Sequence, residues 1–105
     1  MDEPTRIELL KSYLKSDPDD AFTKYALALE FIKCGDDTEA EKLMENIFNV
    51  HTDYLPNYYH YGKLLERKGA IKGAIVIYQA GINRAKTERN SHTLSELQNA
   101  CDDLL

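Results

Sequence analysis

Apolar residues recur along the chain at intervals of three and four. Ile7, Leu10 and Leu14 fall at i, i+3 and i+7, and Leu27, Ala28 and Phe31 form the next stripe. Leu43, Met44, Ile47 and Phe48 follow, then Tyr58, Tyr61, Gly62 and Leu65. Ala74, Ile77, Tyr78, Gly81 and Ile82 make a fifth set, and Leu94, Leu97, Cys101 and Leu104 a sixth. Such spacing gathers each set on one face of a helix, whereas a strand would alternate. The pattern predicts six amphipathic helices, at roughly 5–16, 18–34, 37–51, 55–68, 71–86 and 93–104.

Local chemistry marks their ends. Asp36 followed by Glu39 reads as a capping box, in which each side chain reaches the other's unpaired N–H. Thr93-Leu94-Ser95-Glu96 offers the same device before the last helix, and Asp17 with Pro18 reads as the cap and first residue of the second. Pro4, Pro18 and Pro56 all read as punctuation near helix starts, where the missing proline N–H has no partner to lose. Gly35 and Gly69 stand where helices stop and the backbone turns left-handed. Short turns between the helices imply antiparallel neighbours.

Gly35 and Gly69 lie 34 residues apart, as do Ala40 and Ala74, Tyr25 and Tyr59, and Asn49 and Asn83. The same shift aligns Leu27 with Tyr61, Ala28 with Gly62, Phe31 with Leu65, Leu43 with Ile77, and Met44 with Tyr78. A fixed period of this length marks a stacked architecture in which each unit completes its core against the next. The second copy, Tyr58-x2-Tyr61-Gly62-x2-Leu65 with Gly69, Ala74 and Tyr78, resembles the tetratricopeptide repeat. The first copy, Lys24-x2-Leu27-Ala28-x2-Phe31 with Gly35, Ala40 and Met44, resembles it too. Lys24 replaces the usual aromatic and Gly81 a usual alanine, while Thr52 and Lys86 occupy the place of the closing proline.

The resemblance implies an all-α, right-handed helical repeat solenoid in one domain. Residues 1–20 would be a half repeat, 21–54 and 55–88 two repeats, and 89–105 a capping helix that solvates the end. It also implies a binding groove lined by positions 2, 5, 9, 12 and 13 of each repeat's first helix. These are Phe22, Tyr25, Leu29, Ile32 and Lys33 in the first repeat, and Pro56, Tyr59, Lys63, Glu66 and Arg67 in the second. Helical geometry independently groups Tyr59, Lys63, Glu66 and Arg67 on one face, apart from the core stripe. In members that clamp a terminal carboxylate of a chaperone, Lys and Asn stand where this chain has Tyr25 and Leu29, which implies another specificity.

Composition narrows the functional classes. With 105 residues, 43% of them hydrophobic and 30% charged, the chain has the proportions of one globular domain. No apolar run is long enough to span a membrane, and Met1-Asp2-Glu3-Pro4 is unlike a signal peptide. Two cysteines make no disulfide framework, so a cytoplasmic setting is expected. The net charge of −5 hides an uneven distribution: residues 1–20 carry −3, 21–53 carry −4, 54–89 carry +5 and 90–105 carry −3. A basic island with several tyrosines could meet nucleic acid, but Tyr58, Tyr61 and Tyr78 belong to the core pattern, so no nucleic-acid partner is expected.

Chemistry of sites is sparse. His51, His60, His92, Cys34 and Cys101 have no metal-ligand spacing, and Gly69-Ala70-Ile71-Lys72-Gly73 lacks the form of a phosphate loop. The carboxylates Asp36, Asp37, Glu39, Glu41 and Glu45 follow a helix's first turn and solvent face. No catalytic residue, metal or cofactor is expected. The reading is a non-enzymatic module that binds an acidic and apolar protein or peptide through Tyr25, Leu29, Lys33, Tyr59, Lys63 and Arg67. The alternative is structural: self-assembly into a homo-oligomer through the opposed charges, or a piece of a larger helical scaffold.

Overall fold

The apolar stripes become helices in a computed structural model that describes residues 5–105. They are α1 (Arg6–Ser16), α2 (Ala21–Lys33), α3 (Asp37–Val50), α4 (Pro56–Arg67), α5 (Ile71–Thr87) and α6 (Ser91–Asp102), with no strand among the described residues. Pro4 and the acidic start Met1-Asp2-Glu3-Pro4 lie outside the described residues.

Three turns close in one way. After α2, the Gly35 N–H donates to Ile32 O at 3.0 Å and the Asp36 N–H to Phe31 O at 2.8 Å. After α4, the Gly69 N–H donates to Glu66 O at 3.0 Å and the Ala70 N–H to Leu65 O at 2.9 Å. After α5, Arg89 and Asn90 donate to Lys86 O and Ala85 O at 3.1 and 2.9 Å. The paired bonds satisfy carbonyls that a helix end leaves open, and they require a left-handed residue. Gly35 and Gly69 supply it at φ 81° and 87°; Arg89 does so at φ 56° without a glycine's freedom.

Several helix starts differ from the sequence reading. Asp17 does not cap α2: its N–H donates to Tyr13 O at 2.9 Å and closes α1. Asp20 caps α2 instead, accepting from the Thr23 N–H at 2.9 Å and the Thr23 hydroxyl at 2.5 Å, so Pro18 lies in the turn. Both aspartates precede the stripe, and only the chain path chooses between them. Thr93 does not cap α6, because its N–H is already the donor to Asn90 Oδ1 at 3.0 Å and the helix opens at Ser91. The Asp36–Glu39 box is one-sided: Asp36 accepts from the Glu39 N–H at 3.2 Å, while Glu39 turns to Lys42. Asp36's own N–H is spent in the preceding turn. The reciprocal box stands at Thr5 and Glu8, with bonds of 3.2 and 3.1 Å.

The chain forms two compact units, Met1–His51 and Thr52–Leu105. In the first, α1 and α3 both pack on α2. Leu10, Ala26 and Leu27 are buried together against Ile7, Leu14, Phe31 and Leu43, and Ala28, Ala40, Met44 and Ile47 are wholly enclosed. In the second, α5 packs on both α4 and α6, and α4 also touches α6. Tyr78, Leu64, Leu97 and Ala74 have no exposure there. Each large apolar side chain so enclosed contributes about 1.5–3 kcal/mol relative to leaving it in water.

Glycine sets the closest approaches in the second unit. A Cβ on Gly62 would lie 2.2 Å from Tyr78 Cε1, so the Tyr78 ring rests directly on the α4 backbone. A Cβ on Gly81 would lie 2.7 Å from Tyr58 Cβ and 2.8 Å from Leu97 Cδ1. That crowding accounts for glycine at a position where alanine is usual.

Candidate functional site

The outward faces of α2 and α4 follow from what their inward faces bury. On α2, Thr23, Lys24, Ala26, Leu27 and Ala28 are buried, which leaves Phe22, Tyr25, Leu29, Ile32 and Lys33 around the opposite side. Phe22 is 63% exposed, Tyr25, Leu29 and Ile32 are half-buried, and Lys33 is exposed with Nζ 3.7 Å from Glu30. Tyr25, Leu29 and Lys33 therefore share one strip at successive i, i+4 steps.

On α4, burial of Asn57, Tyr58, Tyr61, Gly62, Leu64 and Leu65 turns Tyr59, Lys63 and Arg67 outward in the same i, i+4 register. Here the contacts are direct. The Lys63 ammonium lies 5.5 Å from the centre of the Tyr59 ring, within the range of a cation–π contact. It is also 3.5 Å from Glu66 Oε2, which accepts the Tyr78 hydroxyl. Burial, then the bond to Glu66, pushes the Tyr78 phenol far above its ordinary value, so Tyr78 remains a donor. Glu66, named in the sequence only as a groove position, thus ties the α4 strip to the core of its unit.

The strip's neighbours are less mobile chemically. His60 stacks edge-on against Tyr59 at 5.5 Å between ring centres. Its half-burial lowers its pKa, an effect opposed by the charge of Glu96. Burial likewise raises the Cys101 thiol, and Cys34 is exposed; neither forms a disulfide. Among the described residues no group of three His, Cys, Asp or Glu stands close enough to hold a metal ion.

Lys24 fills the place of the usual aromatic by a different device. Its stem is buried, and its ammonium donates to Asp19 Oδ1 at 2.9 Å and Asn46 Oδ1 at 2.6 Å. His51 Nε2 lies 3.2 Å from the same Asp19 oxygen. The bond from Lys24, with its charge, holds the Asp19 carboxyl below the usual range. The equivalent residue of the second repeat, Tyr58, donates its hydroxyl to Thr52 O at 2.6 Å. In both repeats an apolar stem is enclosed and its polar end is bonded close by.

A feature with no sequence signal is a hollow of about 300 Å³ at the α5–α6 turn, lined by Ala85, Lys86, Arg89, Asn90, Ser91 and Leu94. Arg89 in its lining stands at φ 56°, a left-handed turn that no glycine announces.

Two solved structures share this architecture. A solution NMR structure of a tetratricopeptide repeat domain protein from Salinibacter ruber is 41% identical, with a TM-score of 0.80 over 83% of this chain and 88% of that one. A crystal structure of a tetratricopeptide repeat domain protein from the same organism is also 41% identical, with a TM-score of 0.78 over 81% and 96%. No family model matches the chain. No curated protein matches it.

Proposed function

The chain belongs to the tetratricopeptide repeat family, a class of protein-interaction modules in general, and we propose that it acts by binding an acidic and apolar protein or peptide without catalysis. The contact residues in this reading are Tyr25, Leu29 and Lys33 on α2, and Tyr59, Lys63 and Arg67 on α4. These are the positions that the family resemblance assigns to the concave face. The carrying observation is the ordered Tyr59–Lys63–Glu66 arrangement, in which a half-exposed ammonium is held over an aromatic ring. A side chain positioned before binding loses less entropy on contact. The α2 strip supplies the apolar component through Phe22, Leu29 and Ile32, and the α4 strip the cationic one through Lys63 and Arg67. Two free thiols accord with a cytoplasmic setting, and no helix among the described residues is long and apolar enough to cross a membrane.

The test is capture of partners from cell extract by the wild-type chain and by Lys63→Glu/Arg67→Glu, followed by calorimetry on the captured partner. Circular dichroism checks that the variant is folded. The expected loss is about tenfold or more in affinity, since rim charges that meet a complementary partner are worth at least about 1.4 kcal/mol together. Unchanged affinity in a folded variant refutes the assignment.

A further inference from the structure

The hollow at the α5–α6 turn belongs to the second unit and shares no residue with the α2 or α4 strips. Its apolar lining comes from Ala85, which is fully buried, and from half-buried Leu94. Lys86 and Arg89 complete it with two exposed cations, and no lining residue is acidic. At about 300 Å³ and open to solvent, it has the smallest size usual for a ligand site, with room for one apolar side chain.

The carboxylates of the surrounding elements are engaged elsewhere. Glu88 accepts from Arg84 Nε at 2.6 Å, and the charge of Asp53 acts on the same guanidinium. Glu96 acts on His60, while Asp102 and Asp103 close the opposite end of α6. Asn90 uses its side-chain oxygen on the Thr93 N–H, and exposed His92 adds no negative charge. Among the described residues Lys86 and Arg89 enter no ion pair. Lys86 stands in the last turn of α5, where the negative pole of the helix favours a cation. Arg89 has no such reason. It lies beyond the cap, in a left-handed conformation that glycine would adopt without strain. An arginine in that place sets a guanidinium with five N–H donors beside an apolar hollow.

We propose that this hollow docks an acidic, apolar segment of a partner protein. One aliphatic or aromatic side chain enters against Ala85 and Leu94, and a neighbouring Asp or Glu meets Arg89 and Lys86. The lining selects this occupant by its charge, since two cations with no carboxylate attract an anionic segment and repel a basic one. The planar fork of arginine takes a carboxylate in paired bonds. A bare phosphate would satisfy the cations but leave the Ala85 and Leu94 surface in water, whereas an apolar residue beside a carboxylate satisfies both. The site goes beyond the α2 and α4 reading, because it forms a contact that needs none of the strip residues.

The test is an amide-resolved NMR titration of the full chain with acetylated, amidated pentapeptides: Glu-Glu-Leu-Glu-Glu, Gln-Gln-Leu-Gln-Gln and Glu-Glu-Ala-Glu-Glu. The first should shift the amides of residues 85–94 saturably, with a Kd at or below about 1 mM. The other two, lacking the charge or the apolar side chain, should bind about fivefold more weakly or worse. Arg89→Gly should weaken binding of the first peptide about fivefold while its urea midpoint holds or rises, which separates the site from the fold. Lys86→Gln should weaken it about threefold. Lys72→Gln removes an exposed cation of α5 outside the hollow and should change nothing. No saturable shift at residues 85–94 up to about 10 mM peptide overturns the proposal. Equal affinity for either control peptide overturns it too, as does wild-type binding by Arg89→Gly or an equal loss in Lys72→Gln. Shifts confined to Tyr59, Lys63 and Arg67 would place the peptide on the α4 strip and overturn the hollow while leaving the strip reading intact. Lys63→Gln/Arg67→Gln should keep the shifts at residues 85–94, so failure of one reading is distinguishable from failure of the other.

Discussion

Substituting Gly81 by alanine separates packing from helix propensity in a single position. Propensity alone favours alanine by about 1 kcal/mol in a helix interior. Against that, the new Cβ would lie 2.7 Å from Tyr58 Cβ, 2.9 Å from Tyr58 Cγ and 2.8 Å from Leu97 Cδ1, where carbon pairs rest at about 3.5–4.0 Å. The Leu97 methyl can rotate away. Tyr58 Cβ is fixed to its own backbone, so α4 and α5 must part by close to an ångström. Overpacking of this kind costs about 1–3 kcal/mol, and a backbone-anchored clash belongs at the upper end. The expected net loss is about 1–2 kcal/mol, or roughly 5–15 °C in Tm for a chain of this size. Urea denaturation read by far-UV circular dichroism and tyrosine fluorescence measures it. The internal control is Gly73→Ala, whose Cβ would meet Leu65 Cδ1 at 3.7 Å and Ala70 Cβ at 3.9 Å, ordinary contacts. That substitution should be neutral to stabilising by up to about 1 kcal/mol. If Gly81→Ala unfolds at the same or a higher urea concentration than the wild type, the close α4–α5 approach is wrong.

Two further outcomes follow from the turns and the histidine beside the α4 strip. Arg89→Gly should stabilise the chain by about 0.5–1 kcal/mol, because relief of a left-handed non-glycine residue, worth about 1–2 kcal/mol, exceeds the added unfolded-state entropy; a lower urea midpoint would refute this. Burial lowers the folded pKa of His60 below its ordinary 6.5, so the stability that its neutral form supplies is complete above that value and is lost as pH falls through the depressed one. The wild type should therefore lose stability on acidification more steeply than His60→Gln, and parallel pH profiles would contradict the burial of the imidazole.

The helices, their order and their family were legible in one dimension because each depends on local periodicity. Stripes such as Tyr58-Tyr61-Gly62-Leu65 need only the helical repeat to become a buried face, and Gly35 and Gly69 need only their own φ to end a helix. The candidate strips of α2 and α4 came instead from the positions that the family resemblance implies, and helical geometry by itself grouped only Tyr59, Lys63, Glu66 and Arg67 on one face. Competition between equivalent local signals was not legible. Asp17 and Asp20 both suit a cap, and the path of the turn gives α2 to Asp20. Asn90 precedes Thr93, so it takes the N–H on which a box at Thr93 would have depended.

The sequence by itself determined an all-helical repeat chain, the main apolar stripe of each helix, and the polarity of its charge, but not the burial of Thr23, Lys24, Asn57 or Leu64. Only the tertiary structure decided how Lys24 stands in for an aromatic, why position 81 is glycine, and that Glu66 couples Lys63 to Tyr78. It also decided that Leu9 and Tyr13 remain outside while Leu10 does not. Helix-forming patterns act over one or two turns, and sequence carries them directly. Enclosure of an ammonium, contact of a ring with a backbone and exposure of a ridge are set by side chains far apart in the chain, and they exist only once the helices are packed.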